Sequence, residues 1–590
     1  MAVGPSDWLV SPIACERGLP TMAARHSTFA GWTWRKALAC TMHLVFIVLV
    51  LLLAIVVSAP LARWCRIPAP LMQILIGAAL GFSILPTVAL DPSVFFLLLL
   101  PPLLFLDGWR IPKEDLLRFA APILELSVAL VVANVLCVGF LIHWLLPAMP
   151  LPVAFALAAV LSPTDPVAVS GIVRRTTAPM RMKRILEGEA LFNDATGLVG
   201  MRFAVAAMMT GSFSLPQTVL SFLWVAAGGL ACGAALTWAI LVLARLVFGR
   251  EENRGAQILI SLLIPFSAYL VSEALGFSGI LGAVAAGVTM GLAEQSGRAM
   301  ASTRVARSEV WDAVQFTAHG IVFVLLGEQA PALLATAHGA SDFAGLPSVW
   351  WLLLDVMAIA AALVLLRLAW VWASLQVKMF QARVWGFVPR PRTWRYVTAM
   401  SVAGVRGAVT LAGVMTLPLM LPDGTPFPGR DLSILLAAGV IIVSLVAATI
   451  LLPRLLRDVQ LGSEESVEVQ VERVRALAAR FAVSAIEDAQ HALASGKIDA
   501  DRYADAAAGV MAIYRRRIEA HGNGPVEVLE GRKSDWIERR LRLAGLRAER
   551  DAVFRMTRAS EVNGEAAAIV IRDIDFVESR LLRKQKPDTE

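Results

Sequence analysis

Charge is scarce in this chain. Of 590 residues only 17% are Asp, Glu, Lys or Arg, against about 25% in an ordinary soluble domain. Cysteine and histidine are scarce too, with 5 and 7 residues. Cys15, Cys40, Cys65, Cys137 and Cys232 lie mostly in apolar segments and show neither disulfide nor metal-ligand spacing, so packing is their expected role. No His/Cys cluster offers a transition metal a home, and no cofactor motif appears. The first forty-one residues hold no long hydrophobic run. What the chain has instead is apolar sequence, 57% of the total, with a mean hydropathy of +0.67. These proportions describe a polytopic membrane protein. The net charge of +7 implies no nucleic-acid partner, because its placement matters more than its size.

A run that crosses about 30 Å of hydrocarbon needs roughly 20 residues. Such runs fall near 38–60, 70–90, 93–110, 121–147, 150–172, 184–210, 216–248, 256–276, 278–295, 309–334, 347–378, 395–420 and 431–455. The expected fold is therefore an all-α polytopic membrane protein of about thirteen transmembrane helices. Loops after odd-numbered spans carry Arg63 and Arg66, Lys113 and Arg118, Arg174 and Arg175, Arg250 and Arg254, Arg298 and Arg304, and Arg390 and Arg392, whereas loops after even-numbered spans carry only Arg430. One missed helix would scramble that alternation. The positive-inside rule puts the odd loops and the C-terminus in the cytoplasm and the N-terminus outside.

The outside N-terminus opposes Arg25, Arg35 and Lys36. Residues 1–41 accordingly read as a disordered tail or an over-long start, Met42 being a natural beginning. A cleaved signal peptide is the alternative, although the apolar run after Arg35-Lys36 exceeds a typical h-region. Residues 42–456 form the transmembrane domain. From 457 to 590 the composition turns to Ala, Arg, Glu and Leu at helical spacing, as in Val469–Ala494 and Lys533–Arg558. This is a cytoplasmic helical region, a solvated bundle or a dimer contact.

Two carboxylates interrupt the apolar sequence. Asp165 sits in Leu161-Ser162-Pro163-Thr164-Asp165-Pro166, and Asp194 in Glu189-Ala190-Leu191-Phe192-Asn193-Asp194. A charge at the bilayer centre costs at least about 2.5–3.5 kcal/mol, so its default reading is functional. Span five is broken by Pro163, Pro166 and Gly171, and span twelve by Gly404-Val405-Arg406-Gly407, Gly413 and Pro418. They lie seven spans apart and run in opposite directions. Paired interrupted spans point to two inverted repeats, spans one to six and eight to thirteen, with a binding site at the midplane. Half-helix ends carry about half a unit charge, which Asp165 can offset at N-termini and Arg406 at C-termini. Two kinked helices lining a wet cavity are the blander alternative.

Asp194, Asp165, Asn193 and Thr164 together supply carboxylate, amide, hydroxyl and carbonyl oxygens, hard ligands for an alkali or alkaline-earth cation. These residues resemble the NhaP/NHE-type monovalent cation:proton antiporters, through Thr164-Asp165-Pro166, Gly188-Glu189 to Asn193-Asp194, Gly404-Val405-Arg406-Gly407-Ala408 and Leu100-Pro101-Pro102-Leu103-Leu104-Phe105. The resemblance implies that Asp194 binds cation and proton in turn. Asp165 and Thr164 would complete the Na+ site, Asn193 would orient it, and Glu189 would pair with Arg406. It further implies a mobile core, a homodimer, elevator-like alternating access and, from the Asn-Asp pair, one-for-one exchange. Na+ (with Li+ or K+) and H+ would be substrates, with no cofactor, in the cell membrane. Two departures stand out: Ala190 replaces a family Ser, and the acid expected at Leu106 is found at Asp107.

K+/H+ exchange accepts the same oxygens. An intramembrane aspartyl protease with an Asp165–Asp194 dyad is the rival from another class, but neither acid has a Tyr-Asp or Gly-x-Gly-Asp context. A channel would need a continuous polar pore. Glu125, Arg202, Glu273, Asp312, His319 and Glu328 are expected to be interfacial, paired, funnel-lining or structural charges.

Overall fold

The computed structural model describes residues 29–83, 92–111, 116, 118–166, 169, 179–210, 215–248, 254–295, 301–345, 347–384, 394–457, 467–494, 500–520, 540–553, 555, 570, 573–578 and 581. The chain divides into two compact units, Met1–Gln460 and Leu461–Glu590.

The first unit is a succession of helices: α1 Phe29–Trp64, α2 Ala69–Ser83, α3 Pro92–Arg110, α4 Ala120–Leu145, α5 Leu151–Leu161, α6 Met180–Thr210, α7 Leu215–Phe248, α8 Arg254–Ala274, α9 Gly279–Gln295 and α10 Ala301–Glu328, then α11 Ala330–Phe343, α12 Val349–Val384, α13 Trp394–Val402, α14 Ala408–Met415 and α15 Arg430–Leu456. Among the described residues seven of these helices are long and apolar enough to cross a membrane, and no strand forms beyond a single Met420–Pro426 bridge. Each apolar run expected to span has a helix on it. Two boundaries differ from expectation. The first helix begins at Phe29, inside the stretch set apart at 1–41. The tenth ends at Glu328, and Pro331 starts the separate α11 where a loop was expected, because proline suits a first turn and cannot continue the helix before it.

The helices pack as two groups. One joins α4, α5 and α6 to α12, α13, α14 and α15; the other joins α1, α2 and α3 to α7, α8, α9 and α10. The first group is made of the corresponding triplets of the expected repeats, spans four to six and eleven to thirteen. Glycines set the close crossings inside the second group. A Cβ at Gly77 or Gly81 of α2 would strike the backbone of Val324 or Glu328 on α10, and one at Gly287 of α9 would strike the Phe105 carbonyl on α3. Gly229 and Gly233 of α7 admit Ser278 and Gly282 in the same way, so that small-residue pair is used for packing within the chain. The groups meet where α3 and α10 face α14, and where α3 and α9 face α6.

After α14 the chain turns back through a tight loop. Thr425 donates from both its hydroxyl, at 2.6 Å, and its N–H, at 3.0 Å, to Asp423 Oδ1, which holds that exposed carboxyl below the usual range. The second unit contains α16 Val467–Ala494 and α17 Ala500–Ala520, packed against each other. Further along it Arg550 pairs with Asp575 at 2.8 Å and with Glu578.

Candidate ion-binding site

The two broken spans cross at their breaks. α5 ends at Leu161 because Pro163 brings no N–H, and residues 162–165 are not helical. α13 ends at Val402, and residues 403–407 are not helical until α14 begins at Ala408. The gaps bond to each other: the Asp165 N–H donates to the Val405 carbonyl at 2.7 Å. Arg406 Nε donates to the Leu161 carbonyl at 2.9 Å, and its Nη1 to the Gly404 carbonyl. Its backbone N–H donates to Ser444 Oγ of α15 at 3.2 Å, which ties the break to the next helix. A cation thus sits on the last carbonyl of α5, and the Asp165 carboxylate lies against Gly407, the cap of α14. Each charge opposes the half-helix pole beside it.

Behind the crossing lies a buried polar knot. Thr164 Oγ1 donates to Glu189 Oε1 at 3.2 Å and accepts from Asn193 Nδ2 at 3.0 Å. Glu189 makes a two-pronged ion pair with Arg367 of α12, whose Nη2–Oε2 distance is 2.6 Å. The side chains of Glu189 and Arg367 are 1% and 2% exposed. The expected Glu189–Arg406 pair is therefore corrected: the salt bridge of Glu189 is with Arg367, while Arg406 holds carbonyls. Planar guanidinium forks suit both tasks, and motif spacing could not say which arginine took which. Arg367 also donates from Nε to the Met400 carbonyl at 3.0 Å, bracing α13.

In front of the crossing is a cavity with about 30 Å³ of room for water-sized occupants, enough for a water molecule or small cation. Asp165, Asp194 and Thr164 line it, together with Asp107 of α3, His319 of α10 and Thr410 of α14. Asn193 does not line it; this side chain is 1% exposed and its Oδ1 has no hydrogen-bond partner among the described residues. The cavity lies on the seam between the helix groups, with Asp107 and His319 on one side and Asp165, Asp194 and Thr410 on the other. Among the described residues no three His, Cys, Asp or Glu converge closely enough to hold a resident metal. Carboxylates spread around a cavity suit an ion that must leave again.

Four of the other charges singled out in the sequence stand in pairs. Glu125, on a π-turn of α4, accepts from Lys378 at 3.1 Å; Arg202 pairs with Glu273 at 3.1 Å; Arg110 pairs with Asp312. Glu328 is wholly buried.

Set beside known proteins, residues 47–458 match the model of the transmembrane sodium/hydrogen exchangers. The chain belongs to that family. An uncharacterised Na+/H+ exchanger of Escherichia coli strain K12 is 39% identical over 563 residues, covering 92% of this chain and 100% of that protein. A sodium, potassium, lithium and rubidium/H+ antiporter of Bacillus subtilis strain 168 is 36% identical over 537 residues, covering 90% and 77%. In fold, the sodium proton antiporter MjNhaP1 from Methanocaldococcus jannaschii, solved at pH 8, aligns with a TM-score of 0.56 at 18% identity, over 71% of this chain and 100% of that one. The protein is thus a multi-pass membrane antiporter of cations against protons, in a family of transporters rather than enzymes.

For a sodium/hydrogen exchanger, three residues beside the cavity or the knot went unread in the sequence. Arg367 is a charge in the middle of a long apolar span, which also holds Asp355, and meets the rule that singled out Asp165. Asp107 was visible only as a displaced acid. Thr410, neutral and cheap to bury, left no signal.

Proposed function

We propose that this exchanger carries Na+ against H+, one for one, by alternating access across the cell membrane, and so serves pH and sodium homeostasis. The observation that carries the reading is the cavity at the crossing, where Asp194 and Asp165 face the same small space. A buried carboxylate such as Asp194 there requires a positive occupant, which a proton or a cation provides equally. Binding one excludes the other, and because each carries a single charge the mobile group moves the same net charge in both directions. Asp194 is the exchanging group, Asp165 and Thr164 contribute to the Na+ site, Asn193 orients Thr164, and the Glu189–Arg367 pair fixes α6 against α12. Movement of the α4–α6 and α12–α15 group past the other would carry the site across the seam, as an elevator does. The same reading makes the protein a homodimer with its C-terminus in the cytoplasm and its N-terminus outside, as the basic loops indicate.

K+ is the second candidate substrate, favoured by the sodium, potassium, lithium and rubidium range of the Bacillus relative. The test is dye quenching of a proton gradient in vesicles holding the purified protein, with Na+, Li+ and K+ added in turn. Recovery with Na+ supports the reading. Recovery with K+ alone would make the protein a K+/H+ exchanger, and none with any cation would end the proposal.

A further inference from the structure

The hydroxyl that sequence assigns to the cation is already spent. Thr164 gives its one proton to Glu189 and takes a proton from Asn193, which leaves a single lone pair. Ala190, one turn before Asp194, brings no hydroxyl at all. On the second broken span, Thr410 lines the same cavity as Asp165 and Asp194. It is 1% exposed, and its Oγ1 has no hydrogen-bond partner among the described residues.

The reason lies in the break. Threonines inside these helices normally return their hydroxyl proton to a carbonyl a turn earlier, as Thr196 does to Phe192 at 2.9 Å, Thr289 to Ala285 at 2.8 Å and Thr449 to Leu445 at 2.7 Å. Thr410 stands in the first turn of α14, and the residues a turn before it, Arg406 and Gly407, are not helical. The break therefore denies this hydroxyl its usual carbonyl, on a residue that lines the ion cavity. A buried hydroxyl left without a partner is costly, and a hard cation is a partner suited to its oxygen.

We propose that Thr410 is the hydroxyl ligand of the transported cation, and that the hydroxyl of Thr164 supports the site through its bonds to Glu189 and Asn193. The inference rests on the antiport reading above and adds a ligand from the second repeat. The experiment compares wild type, Thr410→Val and Thr410→Ser. Exchange is measured in vesicles over a Na+ titration at fixed pH, and melting of the purified protein is measured with and without Na+. Valine keeps the shape and loses the oxygen. It is expected to raise half-saturating Na+ about tenfold, the size of a lost charge-assisted bond. The maximal rate should stay within about twofold, and the Na+-dependent rise in melting temperature should shrink. Serine, which keeps the oxygen, should behave as wild type. Wild-type half-saturation in Thr410→Val would overturn the proposal, as would a serine variant no better than valine, since the methyl group would then be what matters. Should valine prevent folding, Thr410→Ala takes its place with the same two outcomes. Absence of exchange in wild type would sink the antiport reading, whereas loss of the Na+-dependent melting shift in the valine variant would still identify Thr410 as a ligand.

Discussion

The two broken spans do different work with the same trick. In the first, prolines stop α5, and the acid that follows turns its carboxylate towards the cavity. In the second, glycines open the chain, and the base between them turns back onto the Leu161 and Gly404 carbonyls. Proline removes donors without making room, whereas glycine makes room: Gly407 admits the Asp165 carboxylate, and Gly404 admits the side chain of Arg367, which a Cβ there would meet at 3.0 Å. The first break supplies ion chemistry, and the second supplies space, charge compensation and, through Thr410, an oxygen. A symmetric pair of kinked helices would not divide its labour in this way.

The severest test of that division is Asp194→Asn, which should abolish exchange while leaving expression and melting behaviour near wild type. The amide can neither release a proton nor balance a cation. Na+-dependent proton flux persisting in vesicles of this variant would move the exchanging group elsewhere. Next in size is Arg367→Ala. Removing one partner of a buried ion pair costs about 3–5 kcal/mol, here by stranding Glu189. The double variant Glu189→Ala/Arg367→Ala should then be more stable than Arg367→Ala alone, and this coupling should exceed that between Glu189 and Arg406. Equal coupling to both arginines, read from denaturation midpoints, would show that the guanidinium roles are shared rather than divided.

Much of this arrangement could be read from sequence because charge is expensive in a bilayer. Asp165 and Asp194 stand out for that reason, and the Pro and Gly clusters mark the breaks because few residues interrupt a helix. Pairing was not legible. Glu189 has two buried arginines within the same helix group, Arg367 and Arg406, and only geometry assigns it to Arg367. Register was not legible either: Asp107 sits one residue beyond the expected acid position, yet it still reaches the cavity while Leu106 is buried at 1% exposure. Thr410 was the hardest to find, because a hydroxyl inside a helix usually satisfies itself, and at Thr410 the break one turn earlier removes the carbonyl that would do so.

A milder perturbation separates the two glycines. Gly407→Ala would drive a methyl group into the Asp165 carboxylate, and α14 leaves little freedom to retreat. Gly404→Ala meets Cδ, Nε and Cζ of Arg367 at 3.0–3.3 Å, so that side chain need give by only a few tenths of an ångström. Half-saturating Na+ should therefore rise roughly tenfold or more in Gly407→Ala, a cost of about 1.4 kcal/mol, and distinctly less in Gly404→Ala. Equal effects would mean that the second break provides flexibility in general rather than a seat for Asp165.

The smallest expected effect concerns His319, which faces the crossing from α10, outside both broken spans. Its Nδ1 lies 3.0 Å from the Gln315 carbonyl, so the other ring nitrogen is left for the cavity. If Asp194 and Asp165 hold the exchanging charge, cation and proton compete at one place, and the rate follows a bell-shaped pH profile. Excess H+ keeps Na+ off, and scarce H+ starves the return step. Mass action then fixes how the limbs move: tenfold more Na+ offsets tenfold more H+, so the acidic limb should shift by about one pH unit to lower pH for each tenfold rise in Na+. That slope belongs to the carboxylates of the first repeat and needs no separate sensor. His319→Gln should preserve the slope and change half-saturating Na+ by no more than a few-fold, through the altered lining. The measurement is initial rate against pH at several Na+ concentrations in vesicles, for wild type and His319→Gln. A limb that stays fixed as Na+ rises would exclude competition. A slope lost only in the glutamine variant would make the imidazole part of the exchanging group and place the proton chemistry on both sides of the seam.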